Sequence, residues 1–373
     1  MKPYNPLQRL GARVLCAALL LLPVFAGTTG IVFAQATQPG AVYTLTNRPD
    51  GNEVLVFARG ADGSLTLAGS YATGGSGTGS GLGSQSAVIV SNNHQWLFAV
   101  NAGSNSISSF RIRPDQILEL AETIPSGGSM PISLTFYNGL LYVLNAGVPN
   151  NITGFKVDFN GTLMPLSNST RPLSADSTDP AQVNFDKTGK TVIVTEKATN
   201  QIDTYSVGKD GRLTGPFVHP SAGPVPFGFA LDNQNTVLVS DAGPGGGASS
   251  YRVGDDGSLT PVSPNVVTGQ EAACWVGVTN NGQYGYVVNA GTGNISGFAI
   301  GPDGSASLLD ADGVTAITGG NPTDIALSID SRFLYVLVTA TSSIARFAIG
   351  ADGSLEPLTQ VGTPSGLAGL AGY

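Results

Sequence analysis

The stretch from Asp179 to Thr214, DPAQVNFDKTGKTVIVTEKATNQIDTYSVGKDGRLT, contains the pattern that decides the fold. Three short runs rich in β-branched and aromatic residues lie within it, at residues 182–185, 191–195 and 201–207. A polar turn at residues 186–189 separates the first two runs, and Asp210-Gly211 follows the third. Because Asp-Gly suits the positive φ angles of a tight hairpin turn, the stretch predicts an antiparallel meander.

The same pattern recurs along the chain at intervals of 44–54 residues. The second strand of each predicted unit ends at one of seven positions: Asn47, Asn101, Asn145, Glu196, Asp241, Asn289 and Val338. Four short strands in each unit of this length indicate a β-propeller. We therefore predict an all-β fold, a seven-bladed β-propeller of four-stranded antiparallel blades. The first unit lacks an inner strand and residues 366–373 form a surplus one, so we expect the C-terminal strand to join the N-terminal blade and close the ring.

The starts of the inner strands are predicted to surround the central mouth of the propeller. Inner strands are predicted to begin near Ser86, Pro131, Pro180, Pro226, Cys274 and Pro322. A Gly/Ser-rich loop at residues 73–84 precedes the first of them, and its low complexity predicts a mobile segment. Neither a helix nor a Lys-Ser/Thr pair follows its glycines, so it does not match a phosphate-binding loop.

The N-terminus has the order of an export signal. Lys2, Arg9 and Arg13 precede an apolar run at residues 14–25, and small residues at the −3 and −1 positions precede a cleavage point after Ala34. We therefore predict a signal peptide at residues 1–34, a single propeller domain at residues 35–373, and a secreted or periplasmic protein. An uncleaved membrane anchor is the alternative interpretation.

The composition restricts the partners. The chain has 373 residues, of which 17 are cationic and 25 anionic. Cleavage after Ala34 would remove three cations and no anions, leaving a net charge of −11. An acidic surface disfavours nucleic acid and anionic membranes. No zinc or calcium ligand spacing occurs, so we expect no cofactor, a small-molecule ligand such as a lactone or sugar acid, and a monomer.

The strand pattern x-P-x-x-V-x-F-x-x-x-G-K-x-x-x-V, followed by F-x-V-x-x-D-G-S-L, resembles the seven-bladed propeller lactonase family. That family includes 6-phosphogluconolactonase-like and 3-carboxymuconate-cyclase-like proteins, and the resemblance covers residues 41–373. It implies ring opening of a lactone at the central mouth, which needs a base for water and a donor for the developing oxyanion.

The chain departs from the family at the positions that carry this chemistry. Family members have Gly-Pro-Arg-His where an inner strand begins and Asn-Glu where the next strand ends. Here Ala181 and Gln182 replace the arginine and histidine, and Glu196-Lys197 replaces Asn-Glu. Ile132 replaces a second family histidine. The usual lactonase residues are therefore absent or rebuilt.

The candidate site residues are those that remain near the mouth. Glu196 is the candidate catalytic base, and the candidate ligand-binding residues are Gln182, Lys197, Glu271, Trp275 and Asp324. We expect Glu196, Lys197 and Trp275 to approach one another, with Lys197 as an anion anchor and Trp275 as a stacking platform. The alternatives are a solvated Glu196–Lys197 loop pair and a packing role for Trp275.

Two functions follow from these residues. One is a secreted binding propeller that holds a small molecule at the central mouth and has lost the chemistry. The other is an active metal-free lactonase, or a cycloisomerase, with a rebuilt site. Loss of the arginine and histidine favours the first, and the family resemblance favours the second.

Overall fold

The computed structural model describes residues 40–373, which form seven antiparallel sheets arranged as the blades of a propeller. In blades 3 and 6 the outermost position is divided between two short strands that pair with the same neighbour. The seven-bladed, four-stranded prediction is thus confirmed. The predicted signal peptide lies outside the described residues.

The strands fall into four positions, counted outward from the propeller axis. The inner strands of blades 1 to 7 are Ala368–Gly372, Val88–Val90, Pro131–Tyr137, Pro180–Phe185, Pro226–Leu231, Ala273–Val278 and Pro322–Leu327. The second strands are Gly40–Leu45, Trp96–Asn101, Leu140–Asn145, Thr191–Glu196, Thr236–Asp241, Tyr284–Asn289 and Phe333–Val338. The third strands are Glu53–Arg59, Ser106–Ile112, Asn151–Val157, Gln201–Val207, Gly247–Val253, Asn294–Ile300 and Ser343–Ile349. The outer strands are Leu65–Ala72, Leu118–Pro125, Leu163–Pro165 with Arg171–Pro172, Leu213–Pro220, Leu259–Val267, Ala306–Leu308 with Ala316–Ile317, and Leu355–Gly362.

Burial explains the near-continuous apolar runs of the second strands. Every residue of Thr191–Glu196 and of Phe333–Val338 is buried, because both faces of a blade pack on neighbouring blades. The outer strand Leu65–Ala72 is mostly exposed after its first residue. One short 3₁₀ helix, Thr339–Thr341, occurs among the described residues, and no helix within them is long and apolar enough to span a membrane.

The hairpin turn needs a glycine for two reasons, a positive φ angle and a lack of room for a Cβ atom. Gly211 follows Asp210 with a φ of 84°, in the left-handed region that favours glycine. A Cβ atom there would lie 2.6 Å from Leu140 Cδ2 of the preceding blade. Asp210 Oδ1 accepts a hydrogen bond from Arg212 N at 3.0 Å and fixes the turn. The Asp-Gly signal therefore predicts the turn correctly and also marks where one blade packs on the next.

The ring closes as predicted through its first blade. The C-terminal strand Ala368–Gly372 pairs antiparallel with Gly40–Leu45, with Tyr43 opposite Ala371. Asp324 of blade 7 accepts a hydrogen bond at Oδ2 from Leu370 N at 3.0 Å. One blade thus contains strands from both ends of the described chain.

Candidate functional site

The upper face of the propeller, where the inner strands begin, is crossed by residues 82–86, which we call the strap. Ser84 Oγ donates to Ile132 O at 2.8 Å, and Gln85 N donates to Ala181 O at 3.1 Å. Leu82, Ser84 and Gln85 are buried. The prediction of a mobile loop is wrong for residues 82–84, because the side chains and backbone of the strap form hydrogen bonds to inner strands. Ser86 has a φ of 69°, and the inner strand begins only at Val88.

Gln85 reaches across the axis to blade 6. Its Oε1 accepts from Val276 N at 3.0 Å and its Nε2 donates to Val276 O at 2.7 Å. Gly228 leaves the space for this amide, because a Cβ at Gly228 would overlap Gln85 Oε1. The strap therefore connects inner strands that are not neighbours in the ring.

Lys197 and Trp275 both hold the strap from the upper face. Lys197 Nζ donates to Gly83 O at 2.8 Å, and Trp275 Nε1 donates to Ser84 O at 2.8 Å. The ring of Phe227 lies between them, with its centroid 4.9 Å from Lys197 Nζ and 5.0 Å from the Trp275 centroid. These two predicted site residues do converge, but both donate to carbonyl oxygens of the chain itself, and Lys197 Nζ also lies 3.2 Å from Asp179 Oδ1.

Glu196 does not join them, which corrects the sequence prediction of one three-residue group. Its side chain is fully buried inside the blade. Oε1 accepts from Ser174 N at 2.9 Å, and Oε2 accepts from Ser174 Oγ and from Thr199 Oγ1, the latter at 2.5 Å. A carboxylate occupied in this way is in no position to activate water at the central mouth. The sequence places Glu196 at the strand end but does not give the direction of its side chain.

Glu196 forms a buried acid pair with Asp203, which lies on the adjacent third strand of the same blade. Its carboxyl is hydrogen-bonded to that of Glu196, and burial, followed by this bond and the charge of Glu196, raises the pKa of Asp203 to about 8. Because two ionised carboxylates cannot hydrogen-bond to each other, we infer that this contact requires a proton shared by Asp203 and Glu196. Other blades carry neutral pairs at these positions, Asn101 with Ser108 and Asn289 with Ser296.

The other three predicted residues lie apart from one another. Gln182 bridges neighbouring inner strands, with Oε1 accepting from Phe229 N at 2.6 Å and Nε2 donating to Phe229 O at 3.0 Å. Asp324 is fully buried at the ring closure, and burial raises its pKa well above the ordinary range. Glu271 is exposed at the upper rim, where Gly291 N donates to its backbone oxygen at 3.0 Å.

A cavity of about 330 Å³ lies on the other side of the strap, at the lower face where the inner strands end. Gln85 and Gln182 contribute to its lining, together with Asn184, Lys187 and Phe136. Sequence reasoning missed Asn184 and Lys187 because it considered only the first residues of inner strands. The alternation of Gln182 and Asn184 along one strand, which puts both on one face, was the available signal.

Metal binding finds no support in the part of the chain that the structure describes. No group of three or more His, Cys, Asp or Glu side chains within it is placed to hold a metal ion. Cys274 is buried, and burial raises the pKa of its thiol to about 12, so it remains protonated at neutral pH.

The blade count, strand order and ring closure define the protein as a seven-bladed β-propeller. Residues 50–173 match the family Lactonase, 7-bladed beta-propeller. The chain is therefore a seven-bladed β-propeller, and about a third of it is similar to the lactonase family of this fold. Comparison with curated proteins found no significant match.

Solved structures share the fold at low sequence identity. A Bacteroides fragilis protein, provisionally named a 6-phosphogluconolactonase, is 17% identical with a TM-score of 0.74, covering 90% of this chain and 98% of its own. A Lactobacillus plantarum protein is 16% identical with a TM-score of 0.74, covering 90% and 99%. The periplasmic gluconolactonase PpgL of Pseudomonas aeruginosa is 18% identical with a TM-score of 0.70, covering 88% and 98%.

Proposed function

We propose that this protein is an exported propeller that binds a small molecule at the centre of the ring and does not hydrolyse lactones efficiently. The observation that carries the proposal is the strap, because residues 82–86 occupy the upper mouth where a substrate would meet the family's catalytic positions. Ala181 and Ile132, at positions where the family has arginine and histidine, contribute backbone oxygens to hold the strap.

The remaining polar groups at these positions are also engaged. Both amide atoms of Gln182 are bonded to Phe229, and Glu196 is enclosed by Ser174 and Thr199. Ala181 and Gln182 replace the family's arginine and histidine, and Lys197 and Trp275 already donate to the strap. A tetrahedral intermediate would therefore lack the usual oxyanion donor, an interaction worth about 3–4 kcal/mol in catalysis. Binding without turnover is the function that these groups favour.

Export is the second part of the proposal. It is supported by the basic, apolar and small-residue order of residues 1–34, and the structural neighbour from Pseudomonas aeruginosa is named as periplasmic. Intact-mass measurement of exported protein tests it, with a mature chain beginning at Gln35 as the expected result. A retained Met1 would contradict cleavage and favour the membrane-anchor alternative.

A binding function is distinguished from a hydrolytic one by measuring ligand binding and acid release with the same panel of lactones and sugar acids. We expect at least one compound to raise the melting temperature, since a ligand at 100 times its Kd adds about 2.7 kcal/mol. We expect no acid release above the uncatalysed rate. A panel without any stabilising compound would contradict the binding proposal.

An active lactonase or cycloisomerase is the second candidate, and the family match over residues 50–173 favours it. It predicts rapid acid release from a simple lactone, or cyclisation of an unsaturated acid. If such turnover occurred, the enzyme interpretation would replace the binding one, and its loss in Glu196→Gln without loss of stability would also restore Glu196 as the base.

A further inference from the structure

The cavity at the lower face is closed on its upper side and lined by strand ends on its lower side. Gln85 of the strap and Gln182 lie on its upper side, and the oxygen and nitrogen of each side-chain amide bond to inner-strand backbone. Asn92, Tyr137 and Lys187 line the cavity from the ends of inner strands and the turns that follow them. A ligand of about 330 Å³ or less would therefore enter from the lower face.

Three donor groups of this cavity have no partner within residues 40–373. Asn184 lines the cavity, and its Oδ1 accepts from Thr135 Oγ1 at 2.9 Å while its Nδ2 has no hydrogen bond within that range. Neither the side-chain amide of Asn92 nor the Nζ of Lys187 bonds to another residue described by the structure. The cavity thus offers three unpaired donor groups, which suit a ligand with acceptor oxygens, and Asp186 is the one acid among the described residues that line it.

Neither of the two nearby acids, Asp186 and Asp232, forms an ion pair with Lys187 within residues 40–373. Asp186 accepts four hydrogen bonds, from Lys190 N, Thr191 N, Thr188 Oγ1 and Asn235 Nδ2. Asp232 Oδ1 accepts from Gln234 N and Thr236 N. Both carboxylates therefore bond to groups of the turns at residues 186–191 and 232–236, and Asn235 links the two turns. Partial desolvation in the concave rim lowers the pKa of Lys187, and the charge of Asp232 opposes that shift.

The walls also present a carbon surface. Phe136 and Tyr137 are half-buried and line the cavity, and Val278 faces them from blade 6. An aromatic or aliphatic skeleton could pack there while its polar end meets the donors. Most small-molecule sites combine these two features.

We infer that the lower cavity binds a small organic carboxylate, with its carboxylate group against Lys187, Asn184 and Asn92 and its carbon skeleton against Phe136 and Tyr137. This inference rests on the proposed small-molecule binding and adds to it the location, the side from which the ligand enters and the ligand class. It moves the site away from the upper mouth, where the strap already occupies Lys197 and Trp275.

The test is calorimetric titration of the full chain with two matched pairs, gluconate against sorbitol and benzoate against benzyl alcohol. Each pair differs chiefly in the carboxylate. We expect the carboxylate of at least one pair to bind about tenfold or more tightly than its neutral partner, as one charge-assisted hydrogen bond can provide.

Three variants locate the site. Lys187→Met removes the cation, and Asn184→Asp replaces the free donor by an acceptor while keeping the bond from Thr135. Both should weaken carboxylate binding about tenfold or more. Lys197→Met is the matched control on the upper face and should leave the affinity unchanged. Unaltered melting temperatures of the ligand-free Lys187 and Asn184 variants establish that any loss of binding is local.

The possible results distinguish failure of the carboxylate inference from failure of the proposed small-molecule binding. If the neutral partners bind as tightly as the carboxylates, or if Lys197→Met weakens binding and Lys187→Met does not, the inference is overturned and small-molecule binding stands. If only a ligand of another class binds, the inference is likewise overturned. If no compound of the titrations or of the wider panel binds, both fail.

Discussion

Trp275 Nε1 donates a hydrogen bond to the backbone oxygen of Ser84, which lies 191 residues earlier in the chain, at 2.8 Å. This bond fixes the strap to an inner strand on another blade. The bond accounts for a tryptophan, and not another aromatic residue, at the start of this inner strand, because the N–H of a buried tryptophan usually has a hydrogen-bond partner.

Trp275→Phe should therefore destabilise the strap. We expect the free energy of unfolding to fall by about 1 kcal/mol, since Ser84 O loses its donor, and the amide of Gln85 to exchange faster with solvent. Trp96→Phe is the matched control, because Trp96 Nε1 bonds to nothing within residues 40–373. Equal losses in the two variants, with unchanged exchange at Gln85, would contradict a role for this hydrogen bond.

Gln85→Ala should cost more stability. It leaves Val276 N and Val276 O buried without partners, and each such group costs about 1–3 kcal/mol. We expect the free energy of unfolding to decrease by at least about 2 kcal/mol in denaturant titrations. Gln95→Ala, at an exposed turn, is the control and should change little. A loss at Gln85 no larger than at Gln95 would show that the cross-ring bridge contributes no stability.

The buried pair of Glu196 and Asp203 should make stability depend on pH. The pKa of Asp203 in the folded protein is raised to about 8, so its favourable contribution is complete below the ordinary carboxyl pKa near 4 and is lost as the pH rises through about 8. Asp241, whose pKa burial raises to about 7, acts in the same direction. The melting temperature should therefore fall between pH 5 and pH 9.

Asp203→Asn should reduce that fall, because an amide donates to Glu196 at every pH. At pH 9 we expect this variant to be more stable than the parent by at least about 1.4 kcal/mol, the equivalent of one pKa unit. Asp176→Asn, at an exposed position, is the control and should keep the parent's pH profile. If the melting temperature of Asp203→Asn fell between pH 5 and pH 9 as much as that of the parent, the shared proton would be refuted.

Deleting residues 366–373 should destabilise the whole ring. The deletion removes the inner strand of blade 1 and the Leu370 N–H that bonds to Asp324. Asp324 would then remain buried with one oxygen unpaired, and Gly40–Leu45 would have an open edge. We expect a clear decrease in melting temperature by calorimetry. An unchanged melting temperature would mean that the closure contributes nothing.

The sequence predicts the scaffold well because its signals are local and repeated. The turn at Asp210-Gly211 recurs at residues 62–63, 160–161, 256–257, 303–304 and 352–353 and indicates the repeat, and the surplus strand indicates the closure. The site was predicted less well for two physical reasons. A strand end such as Glu196 can point to either face, and one residue of register decides which. Contacts of the strap join Gln85 to Val276 across the ring, and no local pattern encodes such pairs.

The pairing of Tyr43 with Ala371 also sets an order of events for folding. Contacts between residues this far apart form slowly, because a very long loop must close before they contribute any stability. While the chain is incomplete, blades 2 to 7 can assemble in succession, but Gly40–Leu45 keeps an unpaired edge until the last strand arrives. During that interval the protein is most exposed to edge-to-edge association with another chain. The segment that begins the ring is thus the last to be protected.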